Sequence, residues 1–437
     1  MRAFVAALVL VCALQPTLAG AQTPVPIGND QSAALDAALV RATQSAPGVS
    51  VAIVEDGRIV YAEAAGQADL AKNVAALAKT RFGIGSVTKM ITAVCVMQLV
   101  EAGKLRLDEL VSNVLPDVPH GDAITVRELL RHTSGLVNYG DEAFSDGSVA
   151  HHTTPRAILA RFAARPLAFV PGTAWGYSNT DDIVLGLIVE KLSGETLAAY
   201  ERTHVFEPAG MHDTTVGPPT TGVPAAVGYG PGNKPVPKID FSWLYADGDV
   251  FSTASDLARL DIALMNGVLV SPATFALMQA DPVATNFSTP GATVAWGLSL
   301  TLITVGGTTF VGHHGGFPGF AAEDEMLPDR KFAMIVLGNQ TTFITATVNS
   351  SVVAVVYPSL ATIGEPTPSP GGEDTKVTAR LRTLIEQVTN DTLDRTQLDK
   401  QMSDAFTPQL VKQASDAFKS YGALRSLTFV SRTPEMG

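Results

Sequence analysis

Cysteine is nearly absent from this 437-residue chain, which contains two. Cys12 lies in a segment that reads as a removable leader, so the mature chain keeps Cys95 alone. A single thiol cannot close an internal disulfide, and stability has to come from the core. Basic residues are also in deficit: 30 Lys and Arg stand against 42 Asp and Glu, a formal net charge of -12 with no basic stripe. That excludes nucleic acid as the expected partner, and the dispersed acids read as solubility. No apolar run reaches the roughly 20 residues that a stable membrane span needs. Phosphate loops and dinucleotide fingerprints are missing, as are G-x-S-x-G elbows and H-E-x-x-H zinc motifs. The adjacent pairs His151-His152 and His313-His314 do not replace a metal motif, because neighbours on a strand point to opposite faces. No metal and no cofactor are expected.

What the chain does have is a core: 46% of its residues are apolar and 16% are charged. It opens with "MRAFVAALVLVCALQPTLAGAQTPVP", a positive Arg2, an apolar stretch from Ala3 to Leu14, and the small-residue site Ala19-Gly20-Ala21. These are the three parts of a secretory signal, predicting cleavage after Ala21 and an exported protein, periplasmic or secreted. Cys95, within "ITAVCVMQLV", is expected in the core.

Residues 47–70 alternate in two β-branched runs about Glu55-Asp56-Gly57 and predict a β-hairpin. From Ser86 the period becomes helical, with Met90, Ala93, Val94, Met97 and Val100 on one face, ending near Gly103. "ITVRELLRHTSGLVNYG" predicts a short helix stopping at Ser134-Gly135. "TDDIVLGLIVEKLSGETLAAYERTHVF" predicts two helices broken at Ser193-Gly194. "STASDLARLDIALMNG" predicts a helix with a Ser/Thr/Asp cap, closed by Gly267. "GTTFVGHH" and "KFAMIVLGNQ" read as late strands. Strands at both ends with helices between predict an α+β fold whose first and last strands pair, with the helical middle as a second lobe. A Pro/Gly-rich linker (363–376) separates residues 22–362 from a short tail (377–437) with two amphipathic helical stretches and a possible strand, "LRSLTFVSR".

Three short motifs carry the chemistry. In "RFGIGSVTKMITAV", Ser86 stands at a helix start, where free N–H groups and the helix dipole favour a developing anion. Lys89 follows one turn later on the same face, within reach of that hydroxyl. A buried lysine is expected to have a depressed pKa and to accept the serine proton. The alternative is a plain N-cap and a solvated lysine. In "PGTAWGYSNTDD", Tyr177 and Asn179 project to one side, suited to moving a proton and holding an amide, or else to packing under a loop. In "FVGHHGGFPGF", the small Gly315 and Gly316 beside His313 let a substrate backbone lie along a strand edge.

In the order S-x-x-K, Y-x-N, H-x-G, the chain resembles the penicillin-recognising serine hydrolases of the class C β-lactamase and D-alanyl-D-alanine carboxypeptidase type. The resemblance runs from about Pro47 to Gln340 and includes "LLRHTSGL", "FVPGTAWGYSN", "FEPAGMHDT" and "FSTASDLARL". It implies the β-lactamase/transpeptidase-like fold, an antiparallel sheet flanked by helices plus an all-helical lobe, with the site in the cleft between them. It implies Ser86 as the acylated nucleophile, Lys89 as its proton partner and Tyr177 as the shared acid and base. Asn179 would orient the substrate amide or Lys89, and the N–H groups of Ser86 and Gly316 would form the oxyanion hole. His313 would stand where K-T-G versions have lysine, a charge that titrates near 6.5. His314 is expected to face the other way. Asp247 and Asp249 replace the alanine or glycine common in the family; they are read either as carboxylates near the cleft that select an amine, or as loop acids in solvent. The tail resembles the helical opening of an NTF2-like domain and is expected to be a partial one.

The reading is an exported serine hydrolase that cleaves small-molecule or short-peptide substrates, D-amino-acid peptides first. A carboxylesterase on the same scaffold is the alternative, followed by a β-lactamase and a non-turning-over penicillin-binding sensor.

Overall fold

The computed structural model describes residues 28–222, 225–288, 292–343, 345–356 and 375–398, with 411, 412 and 415. The leader, most of the linker, most of the second tail helix and the final strand lie outside the described residues. Two compact units divide at residue 364. In the second unit, helical structure already begins at Thr375, within the expected linker, and runs to Thr389.

In the first unit, nine strands among the described residues form one sheet. They are β1 (Gly48–Glu55), β2 (Arg58–Asp69), β3 (Val74–Ala75), β4 (Val283–Ala284), β5 (Ala292–Trp296), β6 (Thr301–Val305), β7 (Thr308–Phe317), β8 (Phe320–Leu327) and β9 (Phe332–Gly338). Their order is β3-β2-β1-β9-β8-β7-β6-β5-β4. Neighbouring strands are antiparallel. The hairpin closes through Asp56 and Gly57, with φ of 50° and 69°. Two left-handed residues match the strand twist, which is why Asp-Gly stands there. Val49 lies opposite Gly338, so the first and last strands are neighbours.

Both faces of the sheet are covered. α1 (Asn29–Ala42) and α6 (Thr345–Val356) share one apolar cluster with Val49, Val51, Ile53 and Val336. Ala52, Val54, Ile335 and Leu337 point the other way, into the larger core. That core holds α2 (Thr88–Glu101), α3 (Val126–Leu130), α4 (Asn179–Ser193) and α5 (Ala254–Met265). α2 is buried all round rather than on one stripe: Thr88 through Met97 and Leu99 are all covered. Each fully buried Met, Ile or Val there contributes roughly 1.5–3 kcal/mol, and Cys95 is one more core side chain. No described helix is long and apolar enough to cross a membrane.

α3 ends at Leu130 rather than at Ser134-Gly135, because His132 turns into the left-handed region with φ of 52°. α4 ends at Ser193 on a left-handed Gly194, and α5 opens with the Thr253 hydroxyl accepting from the Asp256 N–H.

Candidate active site

Ser86 occupies a single 3-10 turn, Gly85–Val87, that leads into α2. Two glycines allow its backbone to meet the sheet. Gly85 has φ of 52°, and a Cβ there would stand 2.5 Å from the Gly316 nitrogen. A Cβ on Gly315 would overlap the Ile84 carbonyl and stand 2.9 Å from the Ser86 nitrogen. β7 therefore passes in backbone contact with the serine turn, and the N–H groups expected of an oxyanion hole belong to adjoining segments.

The Ser86 hydroxyl oxygen receives two hydrogen bonds, from the Tyr177 hydroxyl at 2.8 Å and from Lys89 Nζ at 3.4 Å. Lys89 is 0% exposed and also donates to the Asp247 carbonyl at 3.0 Å. It pairs with Asp182 Oδ2 at 3.6 Å and lies 5.1 Å from the centre of the Tyr177 ring. The expected depressed pKa is corrected here. Burial alone pulls the ammonium down, but Tyr177, Asp182 and Asp247 together hold it above the ordinary lysine range. At rest Lys89 is a cation. Tyr177 is also raised, by burial first, with Lys89 pulling the other way.

Both aspartates beside Lys89 are buried. The Tyr139 hydroxyl lies 2.6 Å from the Trp243 carbonyl and 2.7 Å from Asp247 Oδ2. The hydroxyl has one proton, which the two acceptors share, and its bond to Asp247 holds that carboxyl down against its burial. Burial pushes Asp247 up to about 7, and Asp182 to about 7 in the same way. Neither reading of Asp247 as a cleft selector nor as a solvated loop acid holds, since it is buried beneath the lysine. Asp249 is buried too and lines a separate cavity of about 620 Å³ with Tyr245, Glu190 and Phe241.

The residues that hold Tyr177 escaped sequence reasoning. The ring packs against His132 at 4.7 Å and Trp296 at 5.6 Å between centres. His132 Nδ1 contacts Asp181 Oδ2 at 2.9 Å, and Ser134 donates to the other Asp181 oxygen. Burial pushes that imidazole well down and that carboxyl well up. Asp181 and Asp182 sit in the first turn of α4, where the helix dipole favours negative charge. The signal was "TDD" directly after Y-x-N, two acids too many for an apolar helix start.

Asn179 begins α4 and makes no hydrogen bond to Lys89. Its Nδ2 lies by Gly140, and its Oδ1 is buried without a partner, free to accept from a substrate amide. His313 faces Trp296, ring centres 5.2 Å apart, and shares its Nδ1 proton with the His314 carbonyl at 2.6 Å. Its Nε2 is buried without a partner. The expected charge near 6.5 is corrected: burial, then Lys89, pushes the imidazole down to about 3, so it is neutral. His314 points to the opposite sheet face, toward Glu325.

The arrangement can run acyl transfer. Once the Tyr177–Lys89 pair has lost one proton, it can take the Ser86 proton and return it to a leaving group.

A family model described as Beta-lactamase matches residues 35–351. The chain is 33% identical over 272 residues to a putative penicillin-binding protein, PbpX, of Bacillus subtilis (strain 168), covering 61% of this chain and 64% of that one. It is 38% identical over 180 residues to esterase EstB of Burkholderia gladioli, covering 38% of this chain and 46% of that one. The matched region thus spans less than two thirds of either relative. Among solved structures, a D-stereospecific amidohydrolase from Streptomyces sp. superposes with a TM-score of 0.64 at 26% identity, over 75% of this chain and 99% of that one.

Proposed function

The chain belongs to the β-lactamase family of serine hydrolases, and on that premise we propose that it is an exported enzyme acylated on Ser86 that cleaves amide bonds of small D-amino-acid-containing peptides. One observation carries the reading: a single serine oxygen that accepts from both the Tyr177 hydroxyl and a buried lysine. In this reading Tyr177 and Lys89 act as one coupled unit. They remove the Ser86 proton for attack, protonate the departing amine, and then activate water. Ser86 and Gly316 N–H groups hold the oxyanion, and Asn179 Oδ1 takes the substrate N–H. The likeness to a D-stereospecific amidohydrolase supports this substrate class.

The esterase reading has its own support. Neutral His313 stands where K-T-G relatives have a lysine, so recognition of a free substrate carboxylate is weak. Uncharged amides and esters then compete well with carboxylate-ended peptides, and esterase EstB is among the relatives.

The test is turnover of p-nitrophenyl butyrate, a D-alanine peptide, its amide and nitrocefin, with intact mass recorded during the reaction. We expect a burst and a mass gain that Ser86→Ala abolishes, with the D-alanine amide fastest among the amides. Undiminished turnover in Ser86→Ala would refute the assignment. Secreted material whose N-terminus is not Gln22 would refute the proposed leader.

A further inference from the structure

On the sheet face opposite the serine, β7 and β8 bring three metal-ligating side chains together. His313 lies opposite Asp324 and His314 opposite Glu323, so His314, Glu323 and Glu325 share one face. His314 Nε2 is 3.1 Å from Glu325 Oε1 and 3.9 Å from Glu323 Oε1. One donor atom from each of the three lies within 4.8 Å of the others. Adjacency of the two histidines is no obstacle, since the site needs only one of them and the register supplies the rest.

A cluster of acids with a histidine can be no more than a cross-strand ion pair, and that arrangement accounts for the 3.1 Å contact. It leaves other polar atoms unexplained. His314 Nδ1 is buried without a hydrogen-bond partner. Asn349 of α6 is 6% exposed, and its Oδ1 has no partner. The amide nitrogen side and Thr345 border the Glu323 carboxylate and hold it down against the rise that burial imposes. A buried oxygen acceptor left without a donor is costly, and a cation between Glu323 and Asn349 would pair the carboxylate and the amide oxygen. The histidine side chain keeps 19% exposure, which leaves a way in from solvent.

We propose that His314, Glu323 and Glu325 form a structural site for a first-row divalent cation of the Zn²⁺ class, with Asn349 Oδ1 as the fourth donor. One imidazole nitrogen and two carboxylates suit that class better than Mg²⁺ or Ca²⁺, which take oxygen donors. Three ligands from two paired strands and one from α6 would tie the helix to the sheet. The His314 side chain points away from Ser86, on the other face of the sheet.

The experiment is calorimetric titration of EDTA-treated, desalted protein with ZnCl₂, repeated with CoCl₂ to read the visible d–d bands of a tetrahedral site. Wild-type protein should bind one equivalent, with a dissociation constant below about 1 μM and a melting temperature raised by several degrees. Glu325→Gln, which keeps the shape, and His314→Ala should each weaken binding by about 100-fold or more and remove the Co²⁺ bands. His152→Ala, an exposed histidine elsewhere, should bind as wild type does. No saturable binding to wild type, or binding unchanged in Glu325→Gln, overturns the proposal. If His314→Ala fails to fold, Glu325→Gln and the wild-type titration still decide it.

Discussion

Asparagine in place of Asp182 should move the acid limb of the pH–rate profile to lower pH. The direction does not depend on whether Lys89 or Tyr177 is the base. Together with Ser86 they must surrender one proton before attack, and Asp182 raises the proton affinity of both. Its carboxylate lies 3.6 Å from Nζ. At an effective dielectric of about 20, a unit charge pair at that separation is worth about 5 kcal/mol, equivalent to about three pH units. Asp182 is itself pushed up to about 7, so its charge is complete only on the alkaline side. The observed shift should therefore be about one to three units. The assay is kcat/KM for p-nitrophenyl butyrate from about pH 5 to about pH 10, with acyl-enzyme titration to count folded sites. The variant should also be less stable by about 3–5 kcal/mol to the extent that Lys89 stays charged, because a buried cation has lost its partner. An acid limb that stays in place or moves to higher pH refutes the argument that Asp182 sets the proton affinity of the unit.

Gly315→Ala should reduce acylation by about 100-fold or more, because its methyl group would overlap the Ile84 carbonyl and push β7 away from the Ser86 nitrogen; acyl-enzyme formation followed by mass measures this. The protein should melt at higher temperature at about pH 6.5 than at about pH 8.5. Asp182, Asp247 and Asp324 have folded values of about 7, above 3.8 for the free side chain, so the folded state holds protons that the unfolded chain has lost, and their stabilisation fades as pH rises through about 7. His132 and His313, buried neutral, oppose this trend only below 6.5, outside the compared range. KM for a carboxylate-ended D-peptide should be flat from about pH 5 to about pH 8, since His313 does not titrate there; a KM rising through 6.5 would show an imidazolium at work.

The hairpin, the first and last strands, α2, α4 and α5 were legible because each carries a local signature: Asp-Gly, a helical period, a cap, a left-handed glycine. β8 was not. "FAAEDEML" places Glu323, Asp324 and Glu325 in a row, with no apolar alternation to mark a strand, yet every residue of the strand is buried. Its two faces meet different partners. Asp324 meets the Asp261 carboxyl on the α5 side, while the glutamates meet His314 on the other. Partners that lie far off in sequence leave no periodic trace. The same holds at the site. Ser86 and Lys89 could be read as a pair from their spacing, but the sign of the lysine pKa shift could not. Burial predicts a depressed value, and only the fold brings Asp182 and Asp247 beneath it.

That reversal has a consequence for how the site is assembled. The Lys89 ammonium is held by the Asp247 carbonyl, the Asp182 carboxylate and the Ser86 hydroxyl, which come from three separate segments. Asp247 is held in turn by Tyr139, whose ring packs with Phe162 and Trp243 in the helical lobe. A buried lysine with no such acids would neutralise itself and need no particular neighbour. Here the cation is retained, and its position is therefore fixed by contacts from both the sheet side and the helical lobe. The proton that must leave before Ser86 can attack is thus a property of the closed fold, and substitutions at Tyr139 or Asp182, neither of which touches Ser86, should be felt in the chemistry.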